Sequence, residues 1–288
     1  MRGRDTRWVV LGGGGVSGIA WELGIIAGMA RAGVDLREAD GFVGTSAGAV
    51  VGAQLAHGAD IESLLAKQLD PTAASGELYR PYSQAHSDAL NRVLMEKVGG
   101  DLSAARRRIG AYAMRAETPS LEMRRAIVAA RLQFHDWPPR ALRLVAVDTA
   151  SGAARLFEAA DGLPLVDAVA ASCAVPGTWP AVPIQGAHYM DGGVHSITNA
   201  QAAHGADCVV ILAPFGYSDG NPVAGHLRAE IQALQETGCR VHVVVPNEDA
   251  AAAIGDNVLD PSLRAAAAEA GLAMADKAAA RIRPDWTD

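Results

Sequence analysis

Near the start of the chain, four consecutive glycines at residues 12–15 separate a short apolar run from a helical pattern. The apolar run at residues 9–11 predicts a buried strand, and residues 20–31 predict a helix. A second unit of the same kind follows, with a short strand at residues 41–44 and a helix of small residues at 47–57. Strand, glycine turn and helix, twice in succession, favour an α/β fold around a parallel sheet.

The glycines also restrict what binds between the first strand and its helix. Because glycine has no Cβ, the backbone N–H groups of this turn can face outward unobstructed, and the helix N-terminus adds a partial positive charge. A negatively charged group is therefore expected there. Two kinds of group remain open: a phosphate that stays bound, or an oxyanion that exists only in a transition state.

The rest of the chain divides into a helical stretch and a second set of strands. Residues 59–138 contain helical patterns separated by breakers, which predicts a helical insert over the sheet. Further strands are predicted at residues 142–150, 154–159, 208–215 and 240–246. Helices are predicted at residues 165–176 and 261–281, the second broken at Gly271. We expect residues 1–288 to form a single domain.

Composition argues against several classes of function. The formal net charge of −7 is wrong for a nucleic-acid-binding protein. The three cysteines lie in apolar stretches without zinc-like spacing, so we expect buried thiols, a cytoplasmic setting and no metal site. Neither a signal peptide nor a membrane-spanning segment is predicted. A peripheral membrane contact and the oligomeric state stay open.

A G-x-S-x-G pattern lies between the second strand and its helix. Gly44 and Gly48 flank Ser46, and such glycines permit the sharp turn that presents a serine hydroxyl as a nucleophile. A nucleophilic serine also needs donors for an oxyanion, and removing one donor typically slows a reaction by about 100- to 1,000-fold. The backbone N–H groups expected to serve are those of Gly13, Gly14, Gly15 and Ala47.

The same glycine turn admits a rival interpretation. Residues 13–18, ending in Gly18, also spell the G-x-G-x-x-G fingerprint of dinucleotide-binding proteins. That fingerprint further requires an acidic residue at the end of the next strand to hold a ribose. Asp35 lies outside any predicted strand, and the following strand ends without an acid. A non-catalytic module that binds a nucleotide phosphate therefore remains only an alternative.

Asp191-Gly192-Gly193 supplies a candidate base. A carboxylate with an ordinary pKa of about 3.9 is a poor base for serine at neutral pH, so Asp191 would need partial desolvation and close contact with the hydroxyl. Gly192 and Gly193 permit that approach. An Asp-Gly-Gly sequence is also common in plain turns.

Three motifs, at residues 13–18, 44–48 and 191–193, thus stand in one order. The combination resembles the patatin-like phospholipase family, whose members pair a G-x-S-x-G serine with an aspartate in an Asp-Gly-Gly or Asp-Gly-Ala motif. Residues 171–184 also look like the segment that precedes this aspartate in the family. The resemblance covers residues 8–54 and 167–199, and little of the remaining chain.

The resemblance implies a three-layer α/β/α sandwich with a mostly parallel central sheet. It also implies a serine lipid acyl hydrolase of phospholipase A, lysophospholipase or esterase type, acting on a lipid or ester without a cofactor. Ser46 would be the nucleophile, Asp191 its base and the glycine turn the oxyanion hole. Two positions depart from the family pattern: Ser17 stands where the loop often carries Arg or Lys, and Ala200 follows Asn199 where a proline is common.

Histidines and arginines leave further possibilities. A Ser-His-Asp esterase of the α/β-hydrolase type remains an alternative, since His195 and His242 follow acids such as Asp148 in the chain. Only one predicted strand precedes the strand that leads into the serine elbow, which is too early for that fold. Residues 106–108 and 124–125 are arginines that we interpret as solvent-exposed helix faces. Contact with lipid phosphate or carboxylate head groups is the other interpretation.

Overall fold

The computed structural model describes residues 5–70, 72 and 76–287. The strands in this part of the chain are β1 (Arg7–Leu11), β2 (Gly41–Thr45), β3 (Ala141–Asp148), β4 (Ala154–Phe157), β5 (Val182–Ile184), β6 (Ala187–Asp191), β7 (Cys208–Leu212) and β8 (Arg240–Val244). The helices are α1 (Gly15–Arg31), α2 (Ala47–Ala56), α3 (Ile61–Leu69), α4 (Gln84–Lys97), α5 (Leu102–Ala113), α6 (Leu121–Arg131), α7 (Leu165–Ser172), α8 (Leu227–Glu236), α9 (Glu248–Ile254) and α10 (Arg264–Trp286).

The strands form one mixed sheet. Hydrogen-bonded neighbours follow the order β5-β6-β3-β2-β1-β7-β8, with β4 paired to β3. The pairs β1–β2, β2–β3, β1–β7 and β7–β8 are parallel, whereas β3–β4, β3–β6 and β5–β6 are antiparallel. The predicted mostly parallel central sheet is confirmed.

Side chains alternate along the strands between two apolar faces of the sheet. One face, which includes Val9 and Leu11 of β1, packs against α1, α2, α7 and α10. The opposite face, which includes Val10, packs against Leu227 and Leu234 of α8. Helices therefore cover both faces, and the predicted three-layer α/β/α sandwich is confirmed.

The hairpin of β5 and β6 is absent from the sequence prediction. Its strands are short, and β5 contains Pro183, so neither carries a strong strand pattern. A two-residue loop joins them, with Gln185 at φ 50° and Gly186 at φ 84°. Two consecutive positive φ angles are typical of the tight turns that suit a β-hairpin. This hairpin delivers Asp191 at the end of β6.

Helices α1 and α10 pack closely through glycine. A Cβ added to Gly24 would lie 2.2 Å from the carbonyl oxygen of Ala268, and one added to Gly271 would lie 2.4 Å from that of Trp21. The predicted break of the C-terminal helix at Gly271 is therefore wrong. Glycine is accommodated in this helix because it lets the two backbones approach, and the packing offsets its poor helix propensity.

Other helix boundaries differ from the sequence prediction. Helix α1 begins at Gly15 rather than at residue 20, since the N–H groups of Val16 and Ser17 both donate to the carbonyl of Val258. This acceptor satisfies N–H groups that a helix start leaves unpaired. Helix α7 ends at Ser172 rather than at residue 176.

The described residues of the predicted helical insert form α3 to α6 and no strand. Helix α4 differs from the helices of the sandwich because none of its residues, all of them described, is buried. Leu90 and Val93 of α4 are among the exposed large apolar side chains. Within the described ranges, no helix combines the length and apolar character that crossing a membrane requires.

Candidate active site

Ser46 and Asp191 come together because β2 and β6 lie end to end along one edge of β3. Strand β4 pairs continuously with one edge of β3. On the other edge, Thr45 of β2 pairs with Val145, and Asp191 of β6 pairs with the next residue of β3, Ala146. The nucleophile candidate follows Thr45 directly. The register of three strands therefore brings two residues far apart in sequence to one point.

Ser46 occupies a sharp turn between β2 and α2. Its backbone has φ 52° and ψ −111°, a left-handed conformation that is strained for a residue with a side chain. Gly48 makes the turn possible, since a Cβ there would lie 2.0 Å from the carbonyl oxygen of Leu11. Gly44 is restricted in the same way by the backbone of Ala49. This geometry is typical of a nucleophile elbow.

Two residues beyond the predicted site hold the backbone of Ser46. The hydroxyl of Ser172 accepts a hydrogen bond from the Ser46 N–H at 3.0 Å. The thiol of Cys173 donates to the Ser46 carbonyl at 3.0 Å, and burial raises the pKa of this thiol to about 11, so it stays protonated. Cys173, Cys208 and Cys239 are buried free thiols. The sequence predicts a buried thiol at Cys173, but not its contact with Ser46.

Asp191 is buried beside the elbow, with 5% of its surface exposed. Burial raises the pKa of Asp191 to about 6, although a hydrogen bond from the Gly193 N–H to Oδ1 at 2.7 Å and the positive charge of Arg124 oppose this rise. Gly192 has no room for a side chain because a Cβ there would lie 2.3 Å from the Val145 carbonyl oxygen. A carboxylate with this pKa is ionised at neutral pH and is a better base than an exposed one.

The Ser46 hydroxyl is close enough to Asp191 to lower the pKa of the carboxyl. The pair nevertheless lacks a hydrogen bond of regular geometry, and Oδ2 of Asp191 has no partner among the described residues. A buried, unpartnered carboxylate oxygen retains its capacity to accept a proton. The arrangement suits a base that binds its proton during the reaction rather than before it.

The free backbone donors at the elbow are fewer than the sequence predicts. Among the residues that the structure describes, no acceptor bonds the N–H groups of Gly14, Gly15 or Ala47. The N–H of Gly13, in contrast, donates to the carbonyl of Ile197 at 2.8 Å. Gly13 is therefore not free to bind an oxyanion, which corrects the expectation for this residue. The N–H of Gly18 is likewise used inside the first turn of α1.

The glycine turn does not leave the start of α1 open for a phosphate. The Val258 carbonyl accepts from Val16 at 2.7 Å and from Ser17 at 3.2 Å, so it occupies the position where a dinucleotide phosphate would bind. A Cβ on Gly15 would lie 2.5 Å from the same oxygen. Asp35 caps a short turn and binds Arg37, and has no role at this site.

The two departures from the family pattern have structural roles. Ser17 is fully buried beside Val258. Asn199 links the loop after Asp191 to the strand before Ser46, since its Nδ2 lies 3.1 Å from both Thr45 Oγ1 and the Gly192 carbonyl oxygen. The N–H of Ala200 donates to Oε2 of Glu230 at 2.9 Å, a hydrogen bond that a proline at this position could not form.

The histidines do not form a triad with Ser46. Nδ1 of His195 lies 2.8 Å from Oδ1 of Asn199, and Nε2 of His242 lies 2.8 Å from Oδ2 of Asp285. Asp148 binds Ser151 in its own turn. No histidine of the described ranges is hydrogen-bonded to Ser46, nor does any group of three or more His, Cys, Asp or Glu there suit a metal ion.

A cavity of about 940 Å³ opens over Ser46 and Asp191. Its lining is mainly apolar and includes Leu90 and Leu94 of α4 and Ile109 of α5. Lys97 and Arg108 add positive charge to the lining. A volume of this size is typical of ligand-binding clefts.

The interpretation of two arginines as solvent-exposed is wrong. Arg124 of α6 is 2% exposed and stacks on the ring of Trp179, with its guanidinium carbon 4.1 Å from the ring centroid. Arg106 of α5 is 9% exposed and donates to the carbonyl of His195 at 2.7 Å. Arg125, the neighbour of Arg124, remains partly exposed and pairs with Asp167.

Two solved structures are similar to most of this chain. VipD from Legionella pneumophila is 14% identical, with a TM-score of 0.38 over 81% of this chain and 53% of VipD. The type III effector protein ExoU is 15% identical, with a TM-score of 0.40 over 96% of this chain and 53% of ExoU. This chain spans about half the length of either protein. No curated protein sequence matches it.

The sequence model that describes patatin-like phospholipases matches residues 9–204. The match includes the glycine turn, the serine elbow and the Asp-Gly-Gly turn, and it extends over more than half of the chain. The suspected family is thereby confirmed: this chain belongs to the patatin-like phospholipase family.

Proposed function

We propose that this protein is a serine hydrolase that cleaves carboxylic esters of lipids, with Ser46 as nucleophile and Asp191 as base. The observation that carries the proposal is the pairing of a strained serine elbow with a buried carboxylate whose pKa is raised to about 6. Membership of the patatin-like phospholipase family supports lipids as the substrate class. Both side chains line the same apolar cavity.

The first half of the reaction forms an acyl-enzyme. The Ser46 oxygen bonds to the ester carbonyl carbon, its proton passes to Asp191, and the carbonyl electron pair moves onto the oxygen. The N–H groups of Gly14, Gly15 and Ala47 then donate to this oxyanion. As the intermediate collapses, the bond to the alcohol breaks and the alcohol oxygen takes the proton from Asp191.

The second half releases the acid. Water attacks the acyl carbon and gives a proton to Asp191, which forms a second oxyanion in the same position. The bond to Ser46 then breaks, and the serine oxygen recovers the proton. The fatty acid leaves, and enzyme charge and protonation return to the starting state without a cofactor.

The lining of the cavity favours a lipid ester with a long acyl chain as the substrate. Leu90 and Leu94 of α4 provide apolar contacts for methylene groups, while Lys97 and Arg108 suit an anionic head group. Leu90 and Val93 are also exposed, at 56% and 46%, on the same helix. Contact with a lipid surface at this helix, by an enzyme of the cytoplasm, is part of the proposal.

The test is hydrolysis of short- and long-chain p-nitrophenyl esters at neutral pH, without added metal or nucleotide. Ser46→Ala should abolish turnover because it removes the nucleophile, and Asp191→Asn should lower kcat by at least about 1,000-fold because the base is lost. Ser87→Ala, which alters another serine of the cavity lining, is the matched control and should retain activity.

Labelling with a fluorophosphonate separates catalysis from mere binding. The wild type and Ser87→Ala should react at Ser46, as shown by mass spectrometry of the modified peptide, and Ser46→Ala should not. Retention of most esterase activity in Ser46→Ala, or an unreactive Ser46 in folded wild-type protein, contradicts the proposal.

A further inference from the structure

A second, small cavity of about 20 Å³ also borders Ser46. Ser46 and Gly15 line both cavities, so the serine stands between a large apolar space and a small one. Ala47 and Arg124 line the small cavity as well. A cavity of this volume has room for about one oxygen atom. Two residues with free backbone N–H groups, Gly15 and Ala47, therefore border the same small cavity as the buried guanidinium of Arg124.

Arg124 is unusual because its hydrogen-bonding groups are only partly used. Its Nη2 donates to the carbonyl of Cys173 at 3.1 Å, and the face of its guanidinium lies on the ring of Trp179. Nε and Nη1 are buried and have no partner among the described residues. A buried cation with unpaired donors is costly, which indicates that a negatively charged oxygen completes its environment at some stage.

The other cation of the small cavity is already neutralised. Arg131 forms a bidentate pair with Glu77, with N–O distances of 2.7 Å and 2.6 Å. Arg124 has no such carboxylate within hydrogen-bonding distance, in the ranges described. The charges of Glu77 and Asp191 both favour the charged form of Arg124, and Arg124 in turn lowers the pKa of Asp191. The small cavity thus carries one positive charge that no direct ion pair cancels.

We propose that Arg124 binds the oxyanion of the tetrahedral intermediate in this small cavity, beside the N–H groups of Gly15 and Ala47. The proposal rests on the proposed function of Ser46. When Asp191 accepts the serine proton, its negative charge disappears and one negative charge appears on the carbonyl oxygen. Arg124 then exchanges a distant negative partner for one in contact, and the total charge of the site is unchanged. Stabilisation of this kind favours the transition state over the neutral ester.

The test compares Arg124→Met with Arg125→Met. Both remove a cation from α6, but Arg125 is partly exposed and paired with Asp167 on the outside of the helix. Arg124→Met should lower kcat by about 100- to 1,000-fold with KM changed less than threefold, because the ester binds without charge. Arg125→Met should leave both constants near wild type, and Arg124→Lys should recover part of kcat.

A trifluoromethyl ketone provides a readout that a purely structural role would not change. Such ketones add the serine and form a stable, anionic tetrahedral adduct. Arg124→Met should lower the affinity for the ketone by the same factor as it lowers kcat. The affinity for a neutral ester analogue should stay the same. Equal affinity of the ketone for Arg124→Met and wild type, or an unchanged kcat, overturns the proposal.

A second measurement covers the case in which Arg124→Met does not fold. In wild-type protein labelled with ¹⁵N at arginine, the Nε–H resonance of Arg124, assigned with Arg124→Lys, should shift when the ketone adduct forms. A resonance that does not shift in protein that has formed the adduct overturns the proposal. Failure of wild-type Ser46 to form any adduct and to hydrolyse esters contradicts the proposed function instead, so the two failures are distinguishable.

Discussion

Helices α1 and α4 both border the main cavity, but they are held very differently. Fourteen of the 17 residues of α1 are buried, whereas none of the 14 residues of α4 is. Helix α1 is fixed by α10 on one side and by the Val258 carbonyl at its first turn. Helix α4 presents its apolar side chains to the cavity and to solvent.

This difference separates two tasks within one site. The proposed oxyanion donors and the serine elbow lie on tightly packed elements, which suits catalytic groups because small displacements of such groups strongly reduce catalysis. The cavity wall that is proposed to contact the acyl chain lies on α4, an element with few packing constraints. Substitutions in α1 should therefore affect folding first, and substitutions in α4 should affect substrate preference first.

Gly24→Val is the most severe test of the tightly packed helix α1. The added Cβ would lie 2.2 Å from the Ala268 carbonyl oxygen, and α10 cannot move aside without losing its packing on α1. We expect a loss of at least about 4 kcal/mol in the free energy of unfolding, measured by urea titration followed by circular dichroism. Gly220→Val is the control, because a Cβ there meets only the flexible end of Arg92 at 3.7 Å. Equal stability of the two variants would refute the distinction.

Asp191→Asn should show that the buried carboxylate of Asp191, the proposed base, destabilises the fold that holds it. Since burial raises the pKa of Asp191 from 3.8 to about 6, the folded state retains a proton that the unfolded state releases in this range. Wild-type stability should therefore fall as the pH rises from about 4 to 6, and Asn should remove the loss. At pH 8 we expect the variant to be more stable by up to about 3 kcal/mol in urea titration.

The same titration governs activity in the opposite sense. Asp191 must be ionised to accept the serine proton, so kcat/KM of the wild type should decline as the pH falls through about 6. A stability difference between Asp191→Asn and wild type that is the same at pH 4 and pH 8, or an acid limb of kcat/KM near pH 4, would show that Asp191 is not desolvated.

Leu94→Ala tests the loosely packed helix α4 and should have the smallest effect on stability. Leu94 lines the cavity from α4 and is only half-buried, so we expect a stability change below about 1 kcal/mol. Removal of its methyl groups should raise KM for long-chain esters about three- to tenfold and leave short-chain esters unchanged. Glu96→Ala, on the exposed side of α4, is the control. An equal loss for both ester lengths would argue against an acyl-binding role for α4.

Local patterns were sufficient to predict the parts of the site that lie at strand ends. The elbow around Ser46 needs particular glycines, and these are visible in the sequence. The commitment of Gly13 to Ile197 and the position of Val258 at α1 were not predictable, because both acceptors come from loops distant in the chain. Short strands with mixed polarity, such as β5 and β6, carried too weak a pattern to predict.

The spacing of apolar residues around Arg124 in the sequence does indicate that its side chain is buried. Ile127 and Val128 follow it at the spacings that place residues on one face of a helix, and all three are buried. A charged residue on the apolar face of an amphipathic helix is more informative than a pair of adjacent arginines. Its stacking on Trp179, in contrast, required the tertiary structure.

The pairing of β1 with β7 bears on how this protein can be produced in parts. All five residues of β1 pair with residues 208–212, which lie beyond the family match that ends at residue 204. A fragment cut at that boundary would leave one edge of β1 unpaired along its full length, directly before the glycine turn. Exposed strand edges recruit other strands and promote aggregation. The end of the family match is therefore a poor place to end a fragment of this chain for expression.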